Sequence, residues 1–238
     1  MSMQVVILCG GRGVRAFPFT EYLPKPMLPV GGTPIIMHII RSYAAQGFTN
    51  FILAAGYRKS VLDDYFHAKQ LGVNIDIVDT GDSADTGERI FACRNRVGST
   101  FMATYGDGLS DVPLHEVLDF HRKRAALATI TCVPLFSQYG IIDAGDDGVV
   151  TAMREKPVMR DHWMNAGFSV MDREVFEHWN GRNLEREVFG HLVAMGRLAA
   201  YRHDGFFKSL DSYKDQQEFD EIFNRGNLPW LVKREATV

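Results

Sequence analysis

The chain has 238 residues, 46% of them hydrophobic and 23% charged, a balance that excludes disorder and suffices for one large core or two small ones. A formal charge of −3 gives no general attraction to nucleic acid or to a membrane surface, and no apolar run approaches the ~20 residues of a membrane span. Cys9, Cys93 and Cys132 are odd in number, widely spaced and without a CxxC pair, which argues against a disulfide framework or a zinc knuckle. The first residues run into a strand-like segment without a basic and apolar leader, so a soluble, cytoplasmic protein is expected.

In chain order, Gln4–Leu8 is an apolar run that reads as the first strand and feeds Gly10, Gly11 and Gly13. Pro34–Gln46 carries Ile35, Ile36, Ile39, Ile40 and Tyr43 on one stripe, with Gly47 as its stop, and predicts a helix. Strands are expected at Asn50–Ala55, Asn74–Asp79, Thr100–Tyr105 and Ala128–Val133, with covering helices at Ser60–Lys69 and Leu114–Lys123. Alternation of this kind predicts an α/β fold, a doubly wound and mostly parallel sheet of Rossmann-like type. After about Pro134 the pattern changes to a β-rich second half. Ile141–Asp143 and Val149–Met153 flank the turn Asp146-Asp-Gly148 and predict a hairpin. Trp163–Val170 reads as a strand, Arg173–Trp179 and Leu184–Met195 as helices, Leu198–His203 as a late strand and Ser212–Asn224 as a last helix. No repeat or flexible linker divides residues 1–238, so one domain is expected, with 1–134 as its doubly wound layer and 135–238 as its β-rich and C-terminal part.

The segment Leu8-Cys-Gly-Gly-Arg-Gly-Val-Arg15, followed by Lys25-Pro-Met-Leu-Pro-Val30, speaks most directly of chemistry. Glycines let a polyanion approach backbone N–H groups, Arg12, Arg15 and Lys25 supply positive charge, and Pro18, Pro24, Pro26 and Pro29 oppose a continuous helix. A small phosphorylated ligand fits this loop better than a polymer does. Gly11-Arg-Gly13-Val-Arg-Ala16 also matches G-x-G-x-x-A, yet the prolines prevent a helix from opening there. The second strand ends Ala54-Ala-Gly-Tyr57 without the acidic residue a dinucleotide fingerprint needs. A Walker A loop is excluded because no Gly-Lys-Ser/Thr occurs.

Thr104-Tyr-Gly-Asp-Gly108 closes an apolar strand, where ligands of open α/β sheets bind, so Asp107 is either a metal ligand or a turn aspartate. Asp211, in Phe206-Phe-Lys-Ser-Leu-Asp211, is its partner as a Mg2+ ligand or else a helix cap. The loop Thr80-Gly-Asp-Ser-Ala-Asp-Thr-Gly87 opens onto a helix carrying Arg89 and is either a reader of base or phosphate or a long solvated turn. Glu155-Lys-Pro157 and Asn165-Ala-Gly167 offer polar groups suited to a phosphate and to sugar hydroxyls.

Taken in this order, these segments resemble the sugar-1-phosphate nucleotidyltransferases, whose signature is a GG-x-G-T-R loop followed by K-P-M. The cytidylyl-transferring branch is nearest, through Val78-Asp-Thr-Gly-Asp-Ser83 with Thr86, Gly87 and Arg89, through Thr104–Gly108 and through Gly205–Asp211. The resemblance implies an enzyme whose partners are CTP, or another nucleoside triphosphate, and a sugar 1-phosphate, glucose 1-phosphate first among them. Its implied cofactor is Mg2+, and its products are a CDP-sugar and pyrophosphate. By this resemblance Arg15 and Lys25 are catalytic, and Leu8, Gly10, Gly11, Gly13, Val14, Thr80, Thr86, Gly87, Arg89 and Gly106 face the nucleotide. Tyr139, Gly140, Glu155, Lys156, Asn165 and Gly167 face the sugar phosphate, and Asp107 and Asp211 hold the metal. Val14 stands where the family has threonine, Leu23 where it has lysine, and residues 66–73 are short where the glucose enzyme has an insertion used in subunit packing. A homo-oligomer is among the expectations, and the alternatives are transfer to a different sugar phosphate, thymidylyl transfer, or sugar-nucleotide binding without catalysis.

Overall fold

The computed structural model describes residues 3–14, 19–67, 69 and 71–231. The chain begins with β1 (Gln4–Leu8), a small antiparallel pair β2 (Pro29–Val30) and β3 (Thr33–Pro34), α1 (Ile35–Ala45), β4 (Asn50–Ala55), α2 (Lys59–His67) and β5 (Asn74–Asp79). It continues through α3 (Thr86–Ala92), β6 (Thr100–Tyr105), β7 (Gly108–Ser110), α4 (Leu114–Arg122) and β8 (Ala128–Phe136). The second half supplies the hairpin β9 (Ile141–Ala144) and β10 (Val150–Arg154), then β11 (Val158–Asp172), a 3-10 stretch at Arg173–His178 and a π-helical turn at Leu184–Val188. The last elements are α5 (Phe189–Ala194), β12 (Leu198–Arg202), β13 (Phe207–Ser209) and α6 (Tyr213–Asn224).

Seven strands form one sheet in the order β12-β8-β11-β6-β1-β4-β5, with every neighbouring pair parallel except those made by β11, which runs against both β6 and β8. Alternation along the strands sends Val5 and Ile7 to one face and Val6 to the other. The first face packs on Ile35, Ile36, Ile39 and Ile40 of α1, on α4 and on Phe219 of α6. The second packs on Ile90 of α3 and on Leu184, Val188 and Leu192. Both faces are covered, which is why the strands are apolar on both sides. Helix α1 ends where Gly47, at φ 91, lets the chain turn back so that Gly47 and Phe48 donate to the Ala44 and Tyr43 carbonyls.

Two expected helices take other forms. Arg173–His178 is wound as a 3-10 stretch. Leu184–Met195 breaks into the π-helical turn and α5, because the Asn183 side chain caps Arg186 N and the Leu184 N–H is drawn to the Thr86 hydroxyl. The strand expected at Trp163–Val170 spans Val158–Asp172, since pairing with β8 resumes on the far side of an irregularity between Met159 and Trp163. The hairpin forms around the foreseen turn, with Gly148 at φ 79.

Candidate functional site

From β1 the chain crosses to β4 and β5 on one side and then returns to β6 on the other, so a crevice opens between the carboxyl ends of β1 and β6. A cavity of about 560 Å³ lies there. Its wall brings together Leu8, Gly10, Gly11, Gly13, Lys25, Thr86, Arg89, Gly106, Asp107, Asn165 and Asp211, all of them singled out in the sequence.

At one end of the cavity two carboxylates meet one ammonium. Lys25 Nζ donates to Asp107 Oδ2 at 2.6 Å and to Asp211 Oδ1 at 2.7 Å. The lysine is held low in the crevice by the Lys25–Met27 turn, and its side chain is only 8% exposed. Asp107 leaves the tip of β6, while Asp211 arrives through the antiparallel pair β13–β7, in which Ser209 faces Gly108 and Leu210 N donates to the Asp107 carbonyl at 2.8 Å. Ser209 Oγ donates to Asp211 Oδ2 at 2.9 Å and fixes that carboxylate from behind. The glycines have steric reasons to be there. A Cβ on Gly106 would lie 2.7 Å from the Leu8 carbonyl oxygen, and one on Gly13, whose φ is +60, would lie 2.8 Å from Lys25 Cβ.

At the other end Arg89 is buried, with its guanidinium packed so closely on Gly10 and Gly56 that neither position has room for a side chain. It donates to the Thr80 hydroxyl and to the carbonyls of Ala55, Gly81 and Asp82, joining the ends of β4 and β5 to the glycine loop. Burial lowers its pKa from the ordinary value, and nearby Asp82 is the largest opposing influence. Helix α3 starts at a capping box of Asp85 and Glu88 and is braced by the segment after residue 181. Arg182 donates to Glu88 and its carbonyl accepts from Glu88 N, while the Thr86 hydroxyl donates to Glu185 Oε2 and accepts from Leu184 N.

Glu185 also accepts from the Tyr105 hydroxyl, and both residues line the cavity. Burial first, then this contact, raises the Tyr105 pKa and keeps the phenol protonated. Glu185 and Tyr105 had no assigned role in the sequence. Nothing in Leu184-Glu-Arg-Glu distinguishes a cavity carboxylate from the wet face of a helix, whereas Tyr105 sits within a motif already singled out.

Other foreseen residues stand away from the cavity wall. Val14 is 75% exposed; Gly87 lies against the Arg182 carbonyl; and the Thr80 hydroxyl is spent on the Ala55 carbonyl and Arg89. Tyr139 is 77% exposed, and Gly140 lies beside Glu155 near the hairpin β9–β10. Lys156 adopts φ 45 and pairs loosely with Glu155. Gly167, at φ 80, lies on the Tyr105 ring beside a small adjoining cavity. Arg15 lies outside the described residues.

Asp107 and Asp211 converge on the Lys25 ammonium and present hard oxygen donors, which suits Mg2+, an ion that takes one or two carboxylates and leaves other positions to phosphate oxygens and water. No third carboxylate, histidine or cysteine joins them among the described residues. Among those residues, no helix is long and apolar enough to cross a membrane.

Residues 4–201 match the family described as nucleotidyl transferase. A Bacillus subtilis (strain 168) protein named probable glucose-1-phosphate cytidylyltransferase is 33% identical over 97% of this chain and 100% of its own length. Mannose-1-phosphate guanylyltransferase of Mycobacterium tuberculosis is 33% identical over 96% of this chain and 66% of its own. In fold, the chain is similar to a UDP-glucose pyrophosphorylase solved with UDP-glucose, with a TM-score of 0.72 at 20% identity, covering 95% of this chain and 100% of that one.

Proposed function

This chain belongs to the sugar-1-phosphate nucleotidyltransferases, and we propose that within the family it joins CTP to a sugar 1-phosphate, with glucose 1-phosphate the first candidate, releasing pyrophosphate and a CDP-sugar. The observation that carries the reading is Lys25 set between Asp107 and Asp211 in a crevice entered from the glycine loop. The cytidylyl assignment draws on the full-length similarity to the Bacillus protein and on the Thr80–Arg89 segment.

A phosphate oxygen of the sugar phosphate attacks the α-phosphorus, and pyrophosphate leaves from the opposite side. The nucleophile is already ionised, so the task of the protein is to bring two polyanions together and to stabilise the charge that develops. Lys25 meets the α-phosphate and neutralises its equatorial oxygens as they gain charge, and Arg15 is assigned as the second cation for the triphosphate. The N–H groups of Gly10, Gly11 and Gly13 receive the triphosphate, and Leu8, Thr86, Arg89 and Gly106 form the nucleoside side, with Thr80 holding Arg89 from behind and Val14 and Gly87 set back from the cavity wall. Asn165 and Gly167, with Tyr139, Gly140, Glu155 and Lys156 approaching from the hairpin side, serve the sugar phosphate. Mg2+ held by Asp107 and Asp211 would supply further neutralisation of phosphate charge when bound. Arg89 is held by protein carbonyls, so its part is to fix the nucleoside side of the cavity as well as to face the ligand.

The test is pyrophosphate release from CTP, dTTP, UTP and GTP, each with glucose 1-phosphate and Mg2+. The highest kcat/KM is expected with CTP. A higher value with another nucleotide would overturn the cytidylyl reading, and turnover only with a different sugar phosphate would overturn the glucose reading.

A further inference from the structure

We propose that Lys25 and the divalent metal exclude one another from a single place, the gap between Asp107 and Asp211, so that the metal enters only as the phosphates of a nucleotide draw the ammonium away. The inference rests on the reading of Asp107 and Asp211 as metal ligands. Its starting point is position. Lys25 Nζ stands 2.6 Å from one carboxylate oxygen and 2.7 Å from the other. An ion bonded to the same two oxygens at roughly 2.0–2.1 Å, the distance Mg2+ requires, falls within the volume of that ammonium.

Charge gives the exclusion its direction. The ammonium offsets one unit of the negative charge that Asp107 and Asp211 present, and its departure leaves the gap one unit more negative. A divalent ion is drawn far more strongly to the second arrangement. The polyanion that arrives with the substrate offers Lys25 an equivalent partner, so the lysine gives up the carboxylates without losing its compensation. Its path is also defined. The Lys25 side chain is 8% exposed and its Cβ packs against Gly13, which leaves the cavity as its way out. Meanwhile the pair keeps its shape, because Ser209 Oγ holds Asp211 and Leu210 N holds the Asp107 carbonyl independently of Lys25. Lys25 is thus a guard on the metal site as well as a phosphate ligand, and it makes metal entry depend on nucleotide.

The experiment is Mn2+ binding to the full chain, followed by electron paramagnetic resonance, without nucleotide and with the α,β-methylene analogue of CTP. Wild type is expected to bind Mn2+ weakly alone and tightly with the analogue. Lys25→Met and, as a second variant, Lys25→Gln are expected to bind Mn2+ without nucleotide about tenfold or more tightly than wild type, because a competing charge is gone. Lys25→Arg, which keeps a cation there, is expected to stay near wild type. Adding Asp107→Asn to either neutral variant should abolish the gain. Wild-type Mn2+ affinity in folded Lys25→Met or Lys25→Gln protein would overturn the proposal, as would a gain that survives Asp107→Asn. A separate failure is distinguishable: if Asp107→Asn leaves Mn2+ binding by the wild-type complex with the analogue unchanged, the metal-ligand reading itself falls.

Discussion

Gly106 shows how little slack the site has. Its N–H donates to the Leu8 carbonyl at 3.1 Å, and an added methyl would press on that same backbone oxygen and, at 2.9 Å, on the Pro26 ring. Neither obstacle is the end of a flexible side chain, so Gly106→Ala must move the tip of β6 and Asp107 with it. A misplacement of about 1 Å at a reacting group costs on the order of 100-fold in rate. That loss is expected in kcat for pyrophosphate release; a kcat within about threefold of wild type would show that β6 adapts without moving Asp107. At this scale Lys25, Asp107 and Asp211 were legible, because a carboxylate between glycines at a strand end and a lysine in a proline-stiffened loop are local signals. Glu185 was not. Its partners, Tyr105 and Thr86, lie 80 and 99 positions away, and the tertiary fold alone puts them together.

Among the elements, α3 is a short helix whose position depends on contacts outside it. It has seven residues, fewer than an isolated helix needs to persist, and its first turn is fixed by Asp85 and Glu88 and then by Arg182, Asn183 and Leu184. Asp85→Ala removes the cap and the Asn183 contact together, and it should lower stability by about 0.5–2 kcal/mol in urea unfolding. Because Thr86 and Arg89 ride on this helix, the KM for nucleotide should rise more than kcat falls; the reverse pattern would mean that α3 serves the chemical step. The positions of β1, β4 and β6 were readable because both faces of these strands are covered and their apolar runs are continuous, whereas β5, at the sheet edge, alternates isoleucine with aspartate. The π-helical turn was not, since its cause is the pull of Thr86 on Leu184 rather than any breaker within Leu184–Met195.

For the molecule as a whole, stability is tied to a histidine under the first face of the sheet. His38 Nε2 meets the Val30 carbonyl at 3.0 Å, and Trp230 Nε1 donates to His38 Nδ1 at 3.3 Å, so the ring is neutral with its proton on Nε2. Burial lowers its pKa below the ordinary histidine value. A group whose folded pKa is depressed contributes its full stability above its unfolded pKa and loses it as pH falls. The melting temperature should therefore decline below about pH 6.5. His38→Gln should show a smaller decline between pH 7 and 5.5, and an unchanged decline would place the sensitivity elsewhere. The alternation of strands and helices announced the sheet, but the reversal of β11 had no local cue, because strand direction is set by which neighbours a segment meets.

The short pair β13–β7 also bears on when the protein becomes active. Asp211 reaches Asp107 only by way of that pairing, so a growing chain on the ribosome has its glycine loop, Lys25 and most of its sheet long before it has both carboxylates. At ~5–20 residues per second, the hundred or so residues from Asp107 to Asp211 take about 5–20 s to appear. Throughout that interval the cleft lacks its second carboxylate, and synthesis itself sets the moment at which the site is whole.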